Sequence, residues 1–162
     1  MFARYFVELP ISLGEVERVL STDPRRWIPG LARDANHRGD TLLAEVGFGE
    51  ALRVKREVDL ELGTPIRSSS KTVIPLRWEA AAHPGLFPAL DADLELAPLG
   101  SNRTQLAMSA RYVPPLGLLG KAIDRAILSR VAEATLKDFL DRVREALLLR
   151  STDVALPATA SR

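Results

Sequence analysis

The segment from Arg103 to Leu149 constrains the fold more than any other stretch. It reads RTQLAMSARYV, then PPLGLLG, then KAIDRAILSRVAEATLKDFLDRVREALLL. In the first piece Leu106, Met108, Ala110 and Tyr112 share one face, the period-two pattern of a strand buried on one side. Pro114 and Pro115 have no N–H to donate and bar further ladder bonding. The rest carries apolar residues at helical spacing from about Leu116 to Leu148, roughly 50 Å of helix at 1.5 Å per residue. A helix that long, closing a chain otherwise rich in strand pattern, needs a sheet to lie on. The expected architecture is α+β: a curved antiparallel sheet of roughly six or seven strands wrapped around one long C-terminal helix.

The preceding chain supplies the strands. Phe2 to Glu8 is rich in aromatic and β-branched residues and reads as the first. Ser12 and Glu15 have the spacing of a capping box for a helix over Leu13 to Leu20. Asp23-Pro24 starts a second short helix, with Pro at its first position and Pro29-Gly30 as its stop. Asn36 to Asp40 then reads as a loop. Leu42, Ala44, Val46 and Phe48 alternate, as do Leu52, Val54, Val58, Leu60 and Leu62. Gly63-Thr64-Pro65 reads as a turn pairing Leu62 with Ile66, which puts Ile66, Ser68, Ser70, Thr72, Ile74, Leu76 and Trp78 on one inward face. Pro75 falls on the outer face, at an edge or bulge. Leu90, Ala92, Leu94 and Leu96 form the strand that opposes Leu106 to Tyr112. The tail after Arg150 has no period, so the reading is one domain over 1–149 and a disordered 150–162.

Composition narrows the function by exclusion. The formal net charge is +1, from 22 basic and 21 acidic residues spread along the chain. No basic block argues for nucleic acid. No segment has the ~20 apolar residues that span a bilayer, and MFARYFVELP lacks an apolar run of signal-peptide length. A cytoplasmic protein without stable membrane insertion, monomer or homodimer, is expected. There is no Cys, which removes thiolate chemistry and cysteine metal sites. His37 and His83 lie in loop patterns without a carboxylate at ligand spacing, so no metal and no cofactor is expected. Neither a P-loop nor a nucleophile-elbow motif is present, and no catalytic residue is assigned.

What remains is a candidate pocket. Arg56 sits on the apolar face between Val54 and Val58, and a guanidinium there must find an anion, carbonyls or water. It reads as an anchor for a ligand head group, as half of an internal salt bridge, or as a side chain at a strand end that snorkels out to solvent. In the inferred pairing Thr72 opposes Arg56 and Ser70 opposes Val58, a polar spot in an apolar wall; a solvated rim is the other reading. Trp78, Met108 and Tyr112 line the same face, with Ile123 and Ile127 from the helix, as cavity lining or as core. The N-terminal half of the helix is rich in alanine and leaves space over the sheet, whereas its bulkier C-terminal half fills it.

Three local patterns carry a family resemblance: Arg25-Arg26-Trp27-Ile28-Pro29-Gly30, Val73-Ile74-Pro75-Leu76-Arg77-Trp78, and Tyr112-Val113-Pro114-Pro115-Leu116-Gly117 before Asp124. With the order of elements they make residues 1–149 resemble the START-like or SRPBCC superfamily, whose members include plant pollen allergens, lipid-transfer domains, aromatic polyketide cyclases and coenzyme Q-binding proteins. The resemblance implies a helix-grip fold with a hydrophobic cavity between sheet and long helix. It fixes no reaction, because the patterns are scaffold motifs. The expected function is binding or transport of a small hydrophobic or amphipathic molecule. The alternative is a polyketide cyclase- or dehydratase-like enzyme.

Overall fold

The computed structural model describes residues 2–43, 58–80, 89–113 and 125–155. Strand β1 (Phe2–Leu9) leads into helices α1 (Leu13–Ser21) and α2 (Pro24–Leu43). Strands β2 (Val58–Leu62), β3 (Ile66–Arg67), β4 (Thr72–Ala80), β5 (Ala89–Pro98) and β6 (Thr104–Val113) follow, and helix α3 (Arg125–Ala155) closes the order. The six strands make one curved antiparallel sheet in the order β1-β6-β5-β4-β2, with β3 also on β4. The α+β architecture read from the sequence is the one observed.

Local chemistry explains where the N-terminal elements begin. Ser12 Oγ accepts from the Glu15 N–H at 3.3 Å and the Glu15 carboxylate accepts from the Ser12 N–H at 3.2 Å, closing the capping box. Pro24 opens α2 as expected. The helix does not stop at Pro29-Gly30, however, and Asn36 to Asp40 is helical rather than a loop. A proline inside a helix forfeits one backbone bond, but Ile28, Ala32 and Ala35 recur at i, i+4 and i+7 and are all buried. That apolar stripe outweighs the break. Leu42 therefore lies in the last turn of a helix that ends at Leu43, and the rest of the strand expected there lies outside the described residues.

The hairpin register also differs from the expectation. Leu62 pairs with Leu76, whereas Ile66 pairs with Val73. Three residues, Gly63 to Pro65, face two on β4, so Gly63-Thr64-Pro65 is a bulge and the chain reverses at Ser68 to Lys71. Ser68 N–H donates to the Lys71 carbonyl at 2.9 Å across that turn. The break suits Pro75. Its carbonyl accepts from Gly63 N–H at 2.7 Å, and since N–H and C=O of a residue point to the same side of a strand, its missing donor faces the bulge. A Cβ on Gly63 would lie 3.1 Å from the Pro75 oxygen, hence glycine there. The bulge flips parity: Thr72, Ile74, Leu76 and Trp78 face inward as expected, but Ile66, Ser68 and Ser70 are exposed.

The registers of β4 on β5 and of β5 on β6 match the sequence pattern, with Leu94 opposite Met108 and Leu96 opposite Leu106. Helix α3 lies across this inner face and buries Leu136, Phe139, Leu140, Val143 and Leu147 completely. It runs past Arg150 to Ala155, where the sequence reading has a disordered tail. Ser151 is buried and its hydroxyl donates to the Leu148 carbonyl at 2.8 Å, which holds that last turn in place.

Candidate functional site

The registers arrange the inner face of the sheet in four rows across the strands. The first contains Thr72, Leu96, Leu106 and Val7; the second Ile74, Leu94, Met108 and Tyr5; the third Leu62, Leu76, Ala92, Ala110 and Ala3; the fourth Leu60, Trp78, Leu90 and, by register, Tyr112. Side-chain size changes along this series. The second row is bulky, the third drops to three alanines over β5, β6 and β1, and the fourth presents Trp78. Phe139 of α3 meets Trp78 edge-on with ring centroids 5.5 Å apart. Val131 and Ala132, toward the N-terminal end of the described part of α3, are buried as well.

These rows separate residues that the sequence reading grouped. Thr72 and Trp78 lie six positions apart on β4, about 20 Å along the strand. Thr72 is 3% exposed, and its hydroxyl donates to the Glu17 carboxylate of α1 at 2.6 Å. Arg67 Nε stands 3.4 Å from the same oxygen. The neighbours of Thr72 on the sheet are Arg67 and Leu96, and Val58 pairs with Ala80. The expected pairings of Thr72 with Arg56 and of Ser70 with Val58 therefore do not form, because the bulge moves the reversal. Ser70 sits exposed in the turn. Met108 is fully buried in the second row. Trp78 and the backbone of Tyr112 lie together at the opposite end, beside the borders of segments 81–88 and 114–124. Arg56 and Ile123 lie outside the described residues, as does the side chain of Ile127.

Glu17 is the polar residue that sequence reasoning missed. Helix α1 buries Val16, Val19 and Leu20, and Glu17 flanks that stripe, where a charge reads as solvent-facing. Nothing local announces that Thr72 waits across the interface. A buried hydroxyl needs a partner, so the one usable signal is Thr72 itself.

The outer face is built differently. Arg111, Asp91, Arg77 and Glu61 stand opposite one another across four strands with alternating sign, an arrangement that suits cross-strand pairing. Beside them Ser109, Asp93, Pro75 and Gly63 form a lower row. A groove of about 570 Å³ opens there, with Phe2 at one end. It lies on the solvent side of the sheet, not between sheet and helix. Among the described residues no group of three or more His, Cys, Asp or Glu is placed to hold a metal ion, and no helix is long and apolar enough to cross a membrane.

No protein-family model and no curated protein matches the chain. Solved structures do resemble it. A conserved protein from Geobacillus kaustophilus is 17% identical with a TM-score of 0.52, over 92% of this chain and 96% of that one. The Zhui aromatase/cyclase from Streptomyces sp. R1128 is 12% identical with a TM-score of 0.47, over 96% and 98%. Ara h 8.0201 is 8% identical with a TM-score of 0.43, over 92% and 98%. The likeness is one of fold: the chain has the helix-grip arrangement, a curved antiparallel sheet around one long C-terminal helix.

Proposed function

We propose that the protein binds a small hydrophobic or amphipathic molecule at the Trp78 end of the space between the sheet and α3. The observation that supports this reading is the change in side-chain size along the inner face. The Thr72 end is filled by Leu94, Leu96, Leu106 and Met108, all fully buried. One row further, Ala3, Ala92 and Ala110 give the sheet a low floor, and Trp78 and Leu90 stand behind it. An apolar wall that includes an aromatic side chain is the usual lining of a small-molecule site. Arg56 and Tyr112 supply the polar groups of this proposal, and Ile123 and Ile127 its helical wall.

The enzyme alternative, a polyketide cyclase- or dehydratase-like activity, draws less from the geometry. A cyclisation or dehydration needs an acid or base within reach of the substrate. Among the described residues, Glu17 is a carboxylate that reaches the inner face, and it lies at the filled end, engaged by Thr72 and Arg67. Native mass spectrometry of freshly purified protein, with displacement of an apolar dye, tests the binding reading. A co-purifying small molecule or a saturable dye site is the expected result. Protein of the bare chain mass that takes up no dye would sink the reading.

A further inference from the structure

Strand β1 has a free side among the described residues. Among the described residues β1 ends the sheet, with β6 on one flank and no strand on the other. It pairs with β6 without interruption over eight residues and has no internal proline or bulge to blunt its edge. Its outward side chains are Phe2, Arg4, Phe6 and Glu8, all exposed; Phe2 keeps 67% and Phe6 57% of its surface open to solvent. The edge is within reach of an outside donor, because Arg144 Nε bonds the Glu8 carbonyl at 3.1 Å. N–H and C=O point to one side in alternate residues, so the edge that offers Glu8 also offers Phe6 and Arg4.

We propose that this edge pairs with the same strand of a second copy, antiparallel and with Phe6 on the two-fold axis, to make one sheet continuous through two chains. The sequence of the strand selects the partner and the register. With Phe6 opposite Phe6, Arg4 of each copy meets Glu8 of the other on the outer face, and Tyr5 meets Val7 on the inner. Centring the pair on Arg4 would oppose two guanidiniums. Centring it on Tyr5 would set Glu8 against Phe2. The Phe6 register matches charge to charge and ring to ring, the combinations that favour cross-strand pairs, and it has the self-complementarity of a two-fold interface.

The contacts already made at this edge are compatible with it. Glu8 pairs with Arg103, but both side chains are exposed, and such a pair is easily exchanged. A carbonyl oxygen has two lone pairs, so Glu8 can keep Arg144 and still accept from the second copy. Lys137 rests over the Tyr5 ring, 5.5 Å from its centroid, and is tied to Asp141. It lies on the helix side of β1, away from the outer row of Arg4, Phe6 and Glu8.

Sedimentation velocity from about 1 µM to about 1 mM reads the proposal directly. The weight-average mass should climb from one chain toward two. Phe6→Lys should weaken the association by about ten-fold or more, and Arg4→Glu likewise. Combining Arg4→Glu with Glu8→Arg should restore it, because the charges then match again with signs reversed. Circular dichroism checks that each variant is folded; Phe6→Lys changes an exposed side chain and keeps the test available if the double variant does not fold. A monomer at every concentration overturns the proposal. So does a dimer whose strength is unmoved by Phe6→Lys, or a folded double variant that stays as weak as Arg4→Glu.

Discussion

The two ends of the inner sheet face are written in the same alternating code, yet they are built for different ends. At the Thr72 end the inward positions of β4, β5 and β6 hold a large apolar side chain or are tied down by a polar bond. Thr72 hands its proton donor to Glu17, and Thr104 donates to the Ile11 carbonyl at 2.9 Å. Both threonines are buried, and both are satisfied. At the Trp78 end the inward positions include Ala3, Ala92 and Ala110, and the largest side chain is an aromatic rather than an aliphatic filler. A pattern of apolar and polar residues fixes which face is buried. The sizes within the apolar set decide whether burial means a solid core or a wall.

Substitutions can break this contrast, beginning with the residue that stands between the two ends. Phe139→Ala removes a fully buried ring from beside Trp78 and should cost about 3–5 kcal/mol in urea unfolding. It should also enlarge the dye site, since the space it leaves joins the alanine row. Leu96→Ala, at the filled end, should cost about 2–5 kcal/mol and leave dye affinity unchanged. If both variants altered dye binding alike, the two ends would not be distinct. Glu17→Ala strips the partner from the Thr72 hydroxyl, at about 1–3 kcal/mol for a buried donor left unsatisfied. Hydrogen exchange at the Ser68–Lys71 turn should quicken, because Glu17 also holds Arg67. The smallest of the series is Ser12→Ala, about 1 kcal/mol for a lost N-cap, with no effect at the Trp78 end.

Most of this architecture is legible in the sequence, and the places where it is not have physical causes. The inward faces of β5 and β6 follow from strict alternation, and the capping box at Ser12 follows from two residue types at fixed spacing. The course of α2 through Pro29 is harder to read, because a breaker next to glycine is a strong local signal. The stripe Ile28, Ala32 and Ala35 that overrides it is a tertiary one. The hairpin is displaced because a bulge and a turn draw on the same residues: Gly63-Thr64-Pro65 suits either. One extra residue there leaves Leu60 and Leu62 inward but changes the parity of Ile66 and moves the reversal to Ser68–Lys71, which takes Ser70 from an inferred wall to an exposed tip. The grouping of Thr72 with Trp78 treats a strand's face as one place, although six residues of β-strand span most of the molecule's core.

The contrast between the ends can be measured with one of the two tryptophans alone. Trp27→Phe removes the other, whose indole N–H is buried without a hydrogen-bond partner among the described residues and whose ring stacks under Arg150 at 4.9 Å. In that background, emission from Trp78 should shift saturably when an apolar dye is titrated in, and the titration should be the same in a Thr72→Val variant. A Trp78 signal that stays flat while dye binds, or one that Thr72→Val abolishes, would contradict a binding site at the Trp78 end.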